Sequence, residues 1–338
     1  MVDKKVVIGT LGSHTALQIL KGAKDEGFPT LLVTIPRNKE FYETFPFIDE
    51  IVTIPSFSAF PEIENELVKK NVILVPHGSY VAYLGFEKNA NMKAQYFGNK
   101  KVLAWEENRN KQREWLTSAG ILMPQQFAID DPEIVFPVIV KSFGAAGGRG
   151  YFLAKDKADL EKKLRDFGDK KYVIQQYIIG VPLYVHYFYS PLMDKLEIMS
   201  MDRRYETTVD AIGRIPQQMQ EELDLNPSFV VVGNSELVLR EGMLSRAYEM
   251  GQKVIAASRK LISERGIFGP FCLETIITPD QKFYVIEISC RIVAGTNLFI
   301  NGSAYSWLYY DEPMSTGRRI AREIKRAIGE KKLEVLLD

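Results

Sequence analysis

Residues 269–289 leave this chain the fewest conformational choices. Two runs rich in β-branched and aromatic residues, Gly269-Pro-Phe-Cys-Leu-Glu-Thr-Ile-Ile-Thr278 and Phe283-Tyr-Val-Ile-Glu-Ile-Ser289, flank the short stretch Pro279-Asp-Gln-Lys282. Such runs, bounded by a Pro/Asp turn, predict the two antiparallel strands of a hairpin. Pairing Thr278 with Phe283 sets Glu274 opposite Glu287. Directly opposed side chains lie roughly 4.5–5.5 Å apart, and like charges there repel. A cation between them, or a proton held on one carboxyl, relieves the repulsion. Cys272, Ile276, Phe283 and Val285 are expected on the same face, and that apolar company favours a metal site over a plain solvent-facing strand edge.

The hairpin belongs to a chain long enough for two or three domains. Its 338 residues are 46% hydrophobic and 25% charged, an ordinary globular balance. Forty-three basic residues offset forty-three acidic ones, so no net field draws the molecule to nucleic acid or to an anionic membrane. No apolar stretch approaches the ~20 residues that span a bilayer. The opening Met-Val-Asp-Lys-Lys runs straight into a strand-like segment rather than a signal peptide. Cys272 and Cys290 fall on opposite faces of the predicted sheet, so no disulfide is expected between them. These features predict a reduced, cytoplasmic protein.

Residues 1–120 alternate strand and helix. Lys5–Thr10, Thr30–Ile35 and Val72–Pro76 read as strands, and Thr15–Glu26 carries helical spacing. That alternation implies parallel βαβ units. Polar loops follow the first and last of these strands: Gly12-Ser-His-Thr15 and His77-Gly-Ser-Tyr80. Ligands of open α/β sheets gather at the carboxyl ends of strands, so the two loops are candidates for one shared pocket. His14 could bind an anion near a helix N-terminus, with Ser13 as a plain helix cap the simpler alternative. A second unit spans 121–183, with strands near 136–141, 151–154 and 172–179 and a helix near 156–167. A strand-rich third unit covers 184–338 and includes a long helix at 243–264. His186, in an aromatic strand, is expected to be structural. Arg203 and Arg204 can pair with phosphate or with nearby acids. The amphipathic segment 315–330 is expected to form a final helix whose charges make a solvated face.

Ser142-Phe-Gly-Ala-Ala-Gly-Gly-Arg-Gly150 follows a strand ending in Lys141 and leads into another, Tyr151-Phe-Leu153. Glycines let backbone N–H groups wrap phosphates. A Walker A loop would end in Lys-Ser/Thr and start a helix, and a Rossmann fingerprint would need a third glycine after Gly9 and Gly12. A strand–glycine loop–strand hairpin is instead a flap over a nucleotide. Lys141, ending a very apolar strand, must reach a phosphate oxygen or solvent. Gln175–Gly180 could offer backbone groups to an adenine edge.

Lys141, the glycine flap, the strand ending near Gln176 and the paired Glu274/Glu287 occur in the order that resembles ATP-grasp ligases. More narrowly, the whole chain is similar to the archaeal formate-dependent FAICAR synthetase family, which formylates AICAR (5-aminoimidazole-4-carboxamide ribotide) during purine synthesis. The strings that carry the likeness are Gly-Ser-His14-Thr, His-Gly-Ser79-Tyr, Tyr96-Phe-Gly-Asn-Lys, Asp202-Arg-Arg-Tyr-Glu206, Gly233-Asn234, Gly269-Pro-Phe-Cys-Leu-Glu274, Arg291-Ile-Val-Ala-Gly-Thr-Asn297 and Ser315-Thr-Gly-Arg-Arg-Ile-Ala-Arg. Phe143 replaces the family's usual histidine, Ala146 a lysine, Gln176 a glutamate and Gly242 a serine.

The resemblance implies an α/β ATP-grasp fold: a Rossmann-like N-terminal domain (1–120), a small α+β flap subdomain (121–183) and a larger α+β C-terminal subdomain (184–338). It implies that His14, Thr15, Ser79, Asn234 and Asn297 bind the ribotide. Lys141, Gly144, Gly147, Gly148, Gln176, Ile178 and Glu206 would hold ATP, Glu274 and Glu287 would hold Mg²⁺ (or Mn²⁺), and Lys141 and Arg291 would act in catalysis. It also implies small-molecule partners (ATP, formate, AICAR) and a homo-oligomer. Two other readings stay open: a paralogous carboxylate–amine ligase with a different acid or amine, and a nucleotide sensor without turnover.

Overall fold

The computed structural model describes residues 5–142, 151–168, 171–222 and 230–338, so the predicted phosphate-loop glycines Gly144, Gly147 and Gly148 lie outside the described residues. The first sheet contains β1 (Val7–Leu11), β2 (Thr30–Thr34), β3 (Glu50–Thr53), β4 (Val72–Leu74) and β5 (Gln95–Tyr96), all parallel, in the order β3-β2-β1-β4-β5. Its central strands are buried on both faces, which explains their unbroken apolar runs. The order reverses between β1 and β4, so the two polar loops predicted to share a pocket flank the topological switch point.

The second, small sheet is antiparallel. Its strands are β6 (Gln126–Phe127), β7 (Val138–Ser142), β8 (Tyr151–Ala154) and β9 (Tyr172–Gln176), ordered β6-β9-β7-β8. Phe127, Val138, Val140, Ala154, Leu160 and Ile174 give it a core of its own. The third sheet orders β10 (Val181–Ser190), β11 (Lys195–Glu206), β12 (Val231–Glu236), β13 (Gly269–Ile277) and β14 (Phe283–Ser289) as β12-β11-β10-β13-β14, antiparallel throughout. The helices that position the site are α1 (Ala16–Asp25), α2 (Lys100–Glu107), α3 (Arg109–Ser118), α4 (Leu244–Leu261) and α5 (Thr316–Gly329). No helix among the described residues is long and apolar enough to cross a membrane.

The glutamate hairpin forms with a register that differs from the expected one at its turn. Ile277, not Thr278, pairs with Phe283, and Thr275 pairs with Val285. An irregularity at this point leaves Ile286 extra, and Glu274 then meets Glu287 as expected. A β-bulge of this kind shifts the parity of one strand against the other. Phe283 and Val285 therefore join Leu273 and Ile288 in the main core rather than standing beside the glutamates. Cys272 does share the glutamate side, packed with Tyr184 and Val293, and both cysteines are free.

The final helix departs further from expectation. Its charges are only in part a solvated face: Lys325 and Arg326 are exposed, but Arg319 and Glu323 are each 1% exposed. Arg319 Nε donates to Glu197 Oε2 of β11 at 2.8 Å, and its Nη1 donates to Glu323 Oε2 at 2.8 Å. Ser190 and Tyr310 complete the network by donating to Glu323 and Glu197. Arg318 and Arg322 reach across to Glu26, just past α1. The two helices approach so closely that a Cβ on Gly22 would lie 2.2 Å from the Arg318 nitrogen, and one on Gly317 would lie 2.4 Å from the Gln18 carbonyl oxygen. α5 thus fastens the first sheet's helix layer to the third sheet.

Candidate active site

The loops after β1 and β4 do converge. The His14 and His77 rings lie parallel, with centroids 5.8 Å apart. His14 has φ +54°, a left-handed conformation rare for a side-chain-bearing residue. Its carbonyl accepts from Asn297 Nδ2 at 2.8 Å, which ties this loop to the segment after β14. The ring lies so near Gly78 that a Cβ there would be 2.5 Å from its Cε1. His77 Nε2 donates to the Leu11 carbonyl at 2.9 Å, while its Nδ1 accepts from the Ser79 N–H at 3.2 Å. Its tautomer is therefore fixed, and burial pushes its pKa down to about 3. Desolvation, then Arg291 and Arg204, lowers His14 to about 4. The His14 ring is open to solvent, so that desolvation is the work of a protein-walled cleft rather than of a packed core. Thr15 is buried at the start of α1 with its hydroxyl unpartnered among the described residues. Ser13 does not cap that helix; its hydroxyl bonds to Tyr83 instead, at 2.7 Å.

One face of the third sheet supplies the cleft's other wall. Strand parity sets Tyr184, Asp202, Arg204, Asn234 and Glu274 together. Arg204 forks onto Glu274 at 2.9 and 3.3 Å, and stacks on Tyr184 with Cζ 3.7 Å from the ring centroid. Arg203 pairs with Asp210 at 3.0 Å, so both arginines take the acidic partners foreseen as an alternative to phosphate. Asp202 accepts from His186 and from Asn234. A Cβ on Gly295 would fall 2.3 Å from Asp202 Oδ1, so only glycine lets the turn bearing Asn297 pass this close. Glu206, at the end of β11, is raised to about 7 by burial first and then by Asp210. Its charge is felt by Tyr177, which places the 176–178 hinge beside it. There Gln176 N–H donates to the Gln125 carbonyl at 2.8 Å, and Ile178 is buried.

Lys141 on β7 faces this wall. Burial, then Arg109, lowers its pKa, and the charges of Glu287 and Glu274 oppose that shift. Glu287 is exposed at the cleft surface, yet desolvation by the surrounding protein walls, then Glu274 and Glu106, holds its carboxyl above the usual range. Arg291 lies past the end of β14, where strand parity no longer applies. It pairs with Glu106 of α2 at 2.7 Å, and Glu106 also accepts the Cys290 N–H at 2.7 Å. Glu106 and Arg109, at the end of α2 and the start of α3, were invisible as site residues in the sequence, because no local pattern distinguishes them from surface charges.

Among the described residues no three His, Cys, Asp or Glu side chains gather into a ready-made metal cage. Two facing carboxylates, one with a raised pKa, lack a full ligand set but suit a Mg²⁺ ion, which takes one or two carboxylates plus substrate phosphates.

Three sheets in this arrangement, with a lysine of the small sheet set against two glutamates of the large one, define the ATP-grasp class. Two family models match the chain: "Protein of unknown function (DUF1246)" over residues 8–127 and "Domain of unknown function (DUF1297)" over residues 154–337. The 5-formaminoimidazole-4-carboxamide-1-(beta)-D-ribofuranosyl 5'-monophosphate synthetase of Pyrococcus abyssi is 53% identical over 99% of both chains. An IMP biosynthesis protein PurP from Thermococcus kodakaraensis has a crystal structure that aligns with TM-score 0.80 and 33% identity, covering 98% of this chain and 100% of that one. An N5-carboxyaminoimidazole ribonucleotide synthetase, in its ADP complex, aligns with TM-score 0.69 at 11% identity, over 96% of this chain and 77% of that one, a likeness of fold alone. The chain belongs to the 5-formaminoimidazole-4-carboxamide ribonucleotide synthetase family.

Proposed function

We propose that this protein is an ATP-dependent carbon–nitrogen ligase that formylates AICAR with formate, yielding FAICAR and ADP. The observation that carries this reading is the adjacency of two half-sites built against one face of the third sheet. Lys141, Glu274 and Glu287 form a phosphoryl-transfer centre, and His14, Asn234 and Asn297 line the neighbouring cleft.

Formate is a poor electrophile because its leaving group would be oxide. Transfer of the ATP γ-phosphoryl to a formate oxygen breaks the bond to ADP and makes formyl phosphate. The AICAR amine then attacks the formyl carbon, the carbon–oxygen bond to phosphate breaks, and the amine nitrogen gives up a proton. Such chemistry rests on positioning and charge neutralisation. Mg²⁺ held by Glu274 and Glu287, or Mn²⁺ in its place, supplies neutralisation at the phosphate oxygens when bound. Lys141 adds positive charge on the facing side, and Arg291, fixed by Glu106, adds more at the junction with the first sheet. Neutral His14 offers a hydrogen bond without an added charge, Ser79 stands on the adjoining loop, and the Thr15 hydroxyl at the head of α1 suits an anion. Glu206 and the Gln176–Ile178 hinge suit the nucleoside part of ATP. Gly144, Gly147 and Gly148, outside the described residues, are assigned to the ATP phosphates on the family resemblance alone.

We extend the reading to three units at 1–120, 121–183 and 184–338, a cytoplasmic location, small-molecule partners and a self-associating assembly. One assay tests the reaction: ADP release with AICAR and either formate or a panel of small acids, with the product weighed by mass spectrometry. Formylated ribotide supports the proposal. Turnover only with another acid sinks it in favour of a paralogous ligase, and nucleotide binding without turnover sinks it in favour of a sensor.

A further inference from the structure

Asp202 is fully buried and holds a donor on each oxygen. His186 Nε2 lies 2.5 Å from Oδ1, and Asn234 Nδ2 lies 2.6 Å from Oδ2. With a nitrogen donor against each oxygen, Asp202 accepts at both, and so it dictates which end of the Asn234 amide faces it. The NH₂ end is captured, and the carbonyl oxygen Oδ1 is left turned away from Asp202. His186 in turn depends on Asp202. Its Nδ1, like the hydroxyl of its cross-strand neighbour Ser200, is buried without a partner among the described residues. Asp202 is therefore the group that fixes the ring, and the ring's N–H holds the carboxylate in place. The glycine at 295 brings the Asn297 turn directly over the same carboxylate.

We infer that His186 and Asp202 are positioning residues that lock Asn234 Oδ1 as a hydrogen-bond acceptor for an N–H of the ribotide's carboxamide, so that the site selects a carboxamide over a carboxylate at that ring position. This inference rests on the reading of Asn234 as a ribotide ligand. A carboxylate there would set acceptor against acceptor. A site built around a substrate N–H rejects strongly the analogue that lacks it.

The test compares AICAR with its 4-carboxylate analogue in the wild type, Asp202→Asn, His186→Phe and His186→Gln, recording KM and kcat separately. Asp202→Asn introduces a donor and frees the Asn234 amide to turn over. It is expected to raise the AICAR KM about tenfold, the scale of one lost hydrogen bond, with little change in kcat, and to narrow the preference for the carboxamide. His186→Phe is expected to shift KM and preference in the same direction, and His186→Gln, which keeps an N–H, to recover much of the loss. If Asp202→Asn fails to fold, the two His186 variants carry the test alone. Unchanged KM and preference in Asp202→Asn and His186→Phe overturn the inference. So does an equal loss of kcat on both ribotides with the preference intact, which marks a merely structural role. A wild type that does not turn over AICAR sinks the formylation reading itself, and the inference falls with it.

Discussion

Arg204 closes a two-point fork on Glu274, at 2.9 and 3.3 Å, although these residues stand on strands separated by β10. Between them lies the Tyr184 ring, over which the guanidinium stacks. The carboxylate best suited to hold a metal is thus already charge-compensated, so Glu274 and Glu287 are not equivalent. Arg204→Met is expected to destabilise the fold by about 1.5–3 kcal/mol, the scale of hydrogen bonds to charged groups. Denaturant melts with and without Mg²⁺ and ATP check this, because bound metal should offset part of the loss.

Among the described residues Glu287 has no such fork. Glu287→Gln is expected to lower kcat by ~10²–10³-fold, as for the loss of one electrostatic stabiliser, with the protein still folded. Steady-state ADP release and a thermal melt measured together separate the catalytic effect from a folding defect.

Glu206 titrates near neutrality because burial and Asp210 both disfavour its charge, raising it to about 7. If its anion holds the nucleoside, adenine-nucleotide affinity should rise as pH climbs through that value. Glu206→Gln should flatten the rise. Its sign for stability is the reverse: the unfolded carboxyl ionises first, so this residue's contribution to stability falls as pH rises from its ordinary value of 4.5 to about 7 and stays lowered above that. Calorimetric titration of nucleotide at several pH values gives the first readout, and Tm against pH the second.

His77 is buried neutral, its pKa lowered from 6.5 to about 3. The unfolded chain binds a proton that the folded chain refuses, so stability should fall as pH drops from 6.5 toward 3. His77→Gln, able to donate to the Leu11 carbonyl, should show a shallower acid limb. Urea midpoints across that pH range measure the slope.

The network on α5 predicts a contrast between single and combined changes. Arg319→Met leaves Glu323 buried without its cation, and Glu197 with only the Lys195 ammonium at 3.6 Å, and should cost about 3–5 kcal/mol. Combining it with Glu197→Gln and Glu323→Gln should recover part of that, because no buried charge is stranded. Gly22→Ala should also destabilise, since the new methyl would meet the Arg318 backbone at 2.2 Å. Guanidinium melts of these variants test whether α5 is the fastening it resembles.

Much of the site was legible because its signals are local. Alternating strand and helix placed His14 and Ser79 at strand ends, and turn chemistry plus period-two parity faced Glu274 with Glu287. The pairing came out right although the turn register was one residue off, because the bulge at Ile286 restored it. The same bulge moved Phe283 and Val285 to the other face, and composition carries no mark of a bulge.

The chain's own order of residues determined the parallel and antiparallel sheets, the loops at the switch point and the opposed acids, since each follows from neighbours within a few positions. Only three-dimensional packing decided that Arg291 answers to a glutamate on α2, that Arg204 forks onto Glu274 and that the last helix buries its arginine. Those partners lie 70 or more residues apart along the chain. Ion pairs at such separation depend on which surfaces meet when the sheets dock, and no periodicity in a linear sequence encodes that.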